Sequence, residues 1–320
     1  MNILRYVLLA SLMMLTGCSS LGILSTSEER LTQKYTNETS RYVEVDNLTF
    51  HYQDEGVGPT LVLLHGVASS LHTWDGWVKE LSPSYRIIRI DLPGHGLTGP
   101  DPSRKNIDIE YMTEMINKLL VRINVDNAHF AGNSLGGYIA WNFAVKYPEK
   151  VNKLVLLDSA GYPQKMPFIM SFASWPGIGE MSQIFMPRFM IGNNVKRAYG
   201  DKKKVDKELV RRYHDLTLRK GNRKALVRLF REMKRQSKNE ELSLAVKRVQ
   251  APTLLMWGEK DTWVPLDVMQ RFQEDLRDVV SVIYEGVGHM PMEEIPVQTA
   301  RDADHFFKTG EPFLPSAEYQ

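Results

Sequence analysis

Short β-branched and apolar runs alternate along this chain with stretches whose apolar positions recur every three to four residues. The first kind occupies 42–45, 48–52, 60–64, 86–90, 128–131, 154–157, 253–257 and 279–284, and reads as strands. The intervening stretches read as helices. One covers 138–148, one covers 266–276, and one begins near Pro296 with Val297, Ala300, Ala303 and Phe307 on a single face. Strands interleaved with helices predict an α/β fold: a mostly parallel sheet with helices on both faces.

Between residues 161 and 250 the alternation stops. No run there reads as a buried strand, whereas Val205, Leu209, Tyr213 and Leu216, then Leu226, Leu229, Phe230 and Met233, keep helical spacing. This segment predicts a helical cap inserted into the sheet domain. Its first part, 166–190, is loaded with Met, Phe and Trp, which suits an adaptable apolar surface facing a ligand or, equally, ordinary packing onto the main domain. The expected organisation is a signal peptide over 1–17, a tether over 18–40, core over 41–160, cap over 161–250 and core again over 251–320.

The N-terminus changes the picture. Arg5 precedes an apolar stretch over 7–15 that is too short to span a bilayer as a mature helix, and small residues lead to Cys18. Leu15-Thr16-Gly17-Cys18 resembles the bacterial lipobox, in which the signal is cut before a lipidated cysteine; an ordinary signal peptide with an incidental cysteine is the alternative. Cys18 is the single cysteine in 320 residues, so no internal disulfide can form. The resemblance implies a bacterial cell-envelope protein anchored by lipid, with Ser19 after the cysteine pointing to the outer membrane facing the periplasm. The following Ser- and Thr-rich stretch to Ser40 has the composition of a spacer.

With 40 basic and 38 acidic residues the net charge is +2, and no overall field argues for nucleic acid as a partner. The charge is nonetheless uneven. Residues 195–248 hold 19 Lys and Arg against 7 Asp and Glu, an excess of 19 − 7 = +12. That excess is either a solvated outer face of cap helices or a surface for anionic headgroups.

The chemistry starts at Gly132-Asn133-Ser134-Leu135-Gly136-Gly137, between a strand and a helix, the setting that a nucleophile elbow G-x-S-x-G requires. A serine hydroxyl needs a base to take its proton and an anion to orient that base. His289, in a glycine-flanked loop after the last strand, is the candidate base. Asp261, just past the strand over 253–257, is the candidate acid, and Asp158 at the end of the preceding strand competes for that role. For the oxyanion, the Leu135 amide follows the nucleophile, and the Val67 amide, with Ala68 as fallback, follows the strand over 60–64. His65 reads as structural. No His-Glu-x-x-His run, acidic metal loop or complete dinucleotide fingerprint occurs, so neither metal nor cofactor is expected.

These motifs, with His65-Gly66, Asp91-Leu92-Pro93-Gly94-His95-Gly96, the Pro252 to Asp261 run and Gly288-His289-Met290-Pro291-Met292-Glu293, resemble the α/β-hydrolase superfamily over residues 40–308. Within it the chain is similar to family V of the bacterial lipases and esterases. The resemblance implies an eight-stranded sheet, a helical cap and cofactor-free hydrolysis of a small-molecule or lipid carboxylic ester through Ser134, His289 and Asp261. It departs from the group at Leu135, where Met is usual, and at Val67-Ala68-Ser69-Ser70, where the loop is usually more aromatic or richer in glycine. A carbon–carbon bond hydrolase of ring-cleavage products, a cofactor-free perhydrolase and a non-catalytic binding lipoprotein are the rival readings.

Overall fold

The computed structural model describes residues 21–104 and 107–312. Cys18, the expected signal peptide and residues 313–320 lie outside the described residues.

Eight strands form one sheet in the order β1-β2-β4-β3-β5-β6-β7-β8: β1 (Ser40–Val45), β2 (Leu48–Glu55), β3 (Thr60–Leu64), β4 (Arg86–Ile90), β5 (Ala128–Asn133), β6 (Val151–Leu157), β7 (Thr253–Gly258) and β8 (Val279–Tyr284). The β1–β2 and β2–β4 pairs are antiparallel and every other pair is parallel. The pleat sends alternate residues to opposite faces. Val62 and Leu64, with Ile88, Ile90 and Phe130, enter one buried cluster, while Leu61, Leu63, Ile87 and Ala131 enter the other. Both faces of the sheet are therefore covered, which is why its central strands are apolar without alternation.

Helices supply the cover. α1 (Glu28–Tyr35) precedes the sheet, and α2 (Asp75–Leu81), α3 (Ile109–Arg122) and α4 (Leu135–Lys146) connect its first strands. The cap follows β6 as α5 (Phe168–Ala173), α6 (Ile178–Ile184), α7 (Arg188–Ala198), α8 (Lys207–Thr217), α9 (Asn222–Gln236) and α10 (Glu240–Leu244). The chain returns through β7, α11 (Leu266–Asp275), β8, α12 (Pro291–Glu294) and α13 (Pro296–Thr309). α3 and α4 pack on the first cluster, α2 and α13 on the second.

The expected tether is the main departure. Ser27 caps α1, its Oγ accepting from the Arg30 amide, and Leu31 and Tyr35, four residues apart, are buried against Leu97 and Leu216. Asp215 on α8 accepts from Lys34 Nζ and Tyr35 Oη, each at 2.9 Å, and Thr26 donates from its amide to Leu218 O at 3.0 Å. Residues 22–35 are thus fastened to the cap. A spacer composition concealed a short amphipathic helix whose apolar positions meet the end of α8.

Candidate active site

Four candidate groups lie just past the carboxyl ends of β5, β6, β7 and β8: Ser134, Asp158, Asp261 and His289. This edge is where parallel sheets open a crevice between diverging loops. Ser134 sits at φ 54°, ψ −113°, a conformation that costs a non-glycine residue free energy and persists because its surroundings hold it. Its amide donates to Leu157 O at 3.0 Å, and its carbonyl accepts from Tyr138 and Ala160. The elbow is tight enough to require its glycines. A Cβ on Gly132 would lie 2.4 Å from the Gly136 backbone, and one on Gly136 would lie 2.1 Å from Leu64 O.

His289 Nδ1 and Asp261 Oδ2 are 2.7 Å apart and both side chains are buried. A carboxylate there accepts, so Nδ1 carries the proton and Nε2 presents its lone pair. Asp261 is fixed in turn: its Oδ1 accepts from the amides of Trp263 at 2.7 Å and Val264 at 3.2 Å. Ser134 and His289 border one cavity, and no hydrogen bond occupies Ser134 Oγ or His289 Nε2 among the described residues. Both groups are therefore open to a molecule in the cavity.

Asp158 is not on the imidazole. It is fully buried at φ 44°; its Oδ1 accepts from the Gly258 amide at 3.0 Å and its Oδ2 has no donor. Burial, then the neighbouring Asp261 charge, push its carboxyl well above the ordinary range. The protonated form can donate from Oδ2 towards Asp261. Asp158, Asp261 and His289 place candidate ligand atoms within 4.8 Å of one another, the geometry of a three-ligand cation site. A protonated Asp158 and an Asp261 already engaged by two amides and the imidazole fit a hydrogen-bonded triad better than a cation.

The oxyanion candidates flank the serine. Val67 and Ala68 line the cavity with Ser134, and Leu135 opens α4, where the first amides of a helix have no partner inside it. The Val67, Ala68 and Leu135 amides make no hydrogen bond among the described residues. His65 holds their loop: its Nδ1 meets Gly66 O at 2.7 Å and its Nε2 accepts from the Leu92 amide at 3.0 Å. That arrangement uses a neutral imidazole, and burial first of all lowers its pKa. His95 packs 5.3 Å from it, and burial together with His65 lowers His95 to about 3.

Three further residues hold the loop that carries His289. Trp263 stacks on His289 with ring centroids 5.5 Å apart. Asn133 donates from Nδ2 to His289 O at 3.0 Å. Glu294, buried, accepts from the amides of Gly288, Gly200 and Asp201 at 2.9, 3.0 and 2.7 Å, and the His289 amide donates to Ala198 O at 2.6 Å. The last two residues of α12 thereby join the His289 loop to the cap, since Glu293 also binds Arg212 and accepts from Tyr199 and Tyr213 at 2.8 Å. Only the pair Glu293-Glu294 beside His289 hinted at this in the sequence, and its partners in the cap lie some ninety residues away.

The cavity wall is apolar. Ile169, Met170, Phe185, Met186 and Met190 from the Met- and Phe-rich part of the cap face it, while Phe168, Trp175 and Phe189 from the same part stay on the surface. Residues 59–296 match the alpha/beta hydrolase fold family. The chain belongs to that family. A 2-hydroxy-6-oxononadienedioate/2-hydroxy-6-oxononatrienedioate hydrolase of Paraburkholderia phymatum is 28% identical over 278 residues, covering 82% of this chain and 91% of its own. A pimeloyl-[acyl-carrier protein] methyl ester esterase of Nitrosomonas europaea is 30% identical over 269 residues, covering 78% and 96%. The crystal structure of a membrane phospholipase A superposes with a TM-score of 0.71 at 24% identity, covering 96% of this chain and 98% of that one, and shows the same fold.

Proposed function

We propose that this α/β hydrolase is a membrane-anchored serine esterase or lipase acting on carboxylic esters with an apolar acyl part. The character of the cavity beside Ser134 carries this reading. Its described lining includes Met, Ile, Phe and Leu side chains and no lysine or arginine. A dienedioate, the substrate class named for the Paraburkholderia relative, would bring carboxylates that an apolar wall leaves unpaired, whereas an aliphatic acyl chain gains by burial there.

In this mechanism Ser134 Oγ attacks the ester carbonyl while His289 Nε2 takes its proton. The tetrahedral oxyanion rests on the Leu135 and Val67 amides, with the α4 N-terminus adding its dipole. His289 then gives the proton to the leaving alcohol and activates water against the acyl-enzyme, as Asp261 stabilises the imidazolium. Acylation of Cys18 supplies the anchor. No described helix is long and apolar enough to cross a membrane.

A panel of p-nitrophenyl esters of increasing chain length, run beside a 2-hydroxy-6-oxo-dienedioate, tests the reading. Ester turnover preferring medium or long chains is expected, together with covalent labelling by a fluorophosphonate that Ser134→Ala abolishes without unfolding the protein. Faster cleavage of the dienedioate would replace esterase by carbon–carbon hydrolase. Labelling in cells with a palmitate analogue tests the anchor, and incorporation should vanish in Cys18→Ser.

A further inference from the structure

The cap carries large apolar side chains that nothing in the structure covers. Phe168, Met181, Ile184 and Phe189 are 54 to 69% exposed, and Trp175 is 47% exposed. A monomer's surface rarely gathers so many around one opening. They are neighbours in the chain of the cavity wall: Ile169 beside Phe168, Ser182 beside Met181, and Phe185 and Met186 between Ile184 and Phe189 line the cavity that holds Ser134 and His289.

The start of the described chain is fixed to the same place. Gly22 presses on the Met186 carbonyl so closely that a Cβ would come within 2.1 Å, and Arg223 Nη1 donates both to Gly22 O and, at 3.0 Å, to Ile184 O. Leu21, Ile23 and Leu24, all exposed, thus extend the apolar patch. Cys18 precedes Leu21 by three residues, a reach of at most about 11 Å for extended chain. Whatever holds the N-terminus in a membrane therefore holds this face against it. At one end of the patch, Phe168 borders a polar cleft that also includes Arg197, Lys202 and Lys260 beside Glu259 and Asp261.

We infer that this face of the cap, from the Leu21 segment across α6 to Phe189, docks on a lipid bilayer and turns the mouth of the Ser134 cavity towards it. The inference rests on the proposed esterase function and deepens it. The substrate is a bilayer-borne acyl ester whose chain passes from the membrane into the cavity beside Phe185 and Met186 without crossing water.

The full chain in phosphatidylethanolamine–phosphatidylglycerol vesicles with brominated acyl chains provides the test. Trp175 belongs to the patch, whereas Trp74, Trp77, Trp141 and Trp257 are buried in the core and Trp263 lies in the cavity against His289. Bromine should quench part of the tryptophan emission, and Trp175→Tyr should remove most of that quenching. Ile184→Ser combined with Phe189→Ser should reduce both the quenching and the hydrolysis of a vesicle-borne ester, the latter by about tenfold, with a short water-soluble ester cleaved at the parent rate. Absence of quenching in the anchored parent overturns the inference, as does unchanged quenching and vesicle turnover in the double variant. A detergent-solubilised dimer that the double variant splits, with no quenching in vesicles, would assign the face to a second copy and overturn it too. Quenching without hydrolysis of any ester would uphold the docking face and refute the esterase reading alone.

Discussion

Two carboxyl groups lie near the His289 imidazole, at the ends of neighbouring strands, and the sequence left both in contention. Contact geometry separates their roles. Asp261 holds His289 Nδ1 at 2.7 Å, while Asp158 holds the Gly258 amide and keeps one oxygen without a donor. Asp261→Asn should cost on the order of 10⁴-fold in kcat, because the amide favours the wrong tautomer of the imidazole. Asp158→Asn should stay within about tenfold of the parent, since the amide oxygen can still accept from the Gly258 amide and the side chain does not touch the imidazole; steady-state kinetics of both variants decides. Stability should respond to pH in a set direction. Burial raises the folded carboxyl of Asp158 above its unfolded value, so its contribution is complete below about pH 4 and is lost as pH rises through the folded pKa. Asn cannot ionise. Asp158→Asn should therefore gain on the parent as pH rises above about 4, measurable as a widening difference in denaturation midpoint, and a constant difference from pH 4 to 9 would show that Asp158 is ionised throughout.

Among elements, α12 has the greatest leverage for its four residues. Glu294 fixes three amides, one in the His289 loop and two at the cap, so it couples the position of His289 to the seating of the cap. Glu294→Gln keeps the size but puts an NH₂ where backbone donors converge. A displacement of about 1 Å in a catalytic group can cost ~10²-fold, and we expect kcat to fall ~10- to 100-fold with KM for a short ester little changed. A rise in KM alone would make Glu294 a feature of the substrate cavity instead. These loop contacts were hidden in the sequence because they are long-range and pair side chains with backbone. The strands were legible, since burial on both faces forces continuous apolar runs; their ends were less so, and Asn152 and Lys153 masked the start of β6. The tight turn at Ser134 was legible for a steric reason, its glycines being dictated by the turn. Helix α1 was missed although its signals were present: Ser27 as cap, Glu28 and Glu29 in the first turn, Lys34 in the last, and Leu31 four residues before Tyr35. What those signals could not show was the end of α8, against which the helix closes.

At the scale of the molecule, charge and apolar surface are both concentrated on the cap. Its surplus of +12 over 195–248 leaves 2 − 12 = −10 for the rest of the chain. Part of the surplus is matched from outside the segment, through Arg212 to Glu293, Arg219 to Glu28, Arg231 to Glu180 and Lys247 to Asp275. Lys204 is also engaged, its Nζ donating to Glu294 O at 2.7 Å. Lys202, Lys203 and Lys207 are exposed and make no ion pair among the described residues, so these are the charges an anionic surface would meet. Near such a surface each contributes up to ~1 kcal/mol, falling off within a Debye length of ~8 Å at physiological salt. Reversing all three to Glu should therefore slow hydrolysis of an ester carried in phosphatidylglycerol vesicles by ~100-fold at low salt and by only a few-fold at high salt. A small soluble ester should be cleaved at the parent rate under both conditions, because none of the three lines the Ser134 cavity. A vesicle rate indifferent to both salt and charge reversal would make these lysines an ordinary solvated face, and the orientation of the cap would then depend on its apolar patch alone.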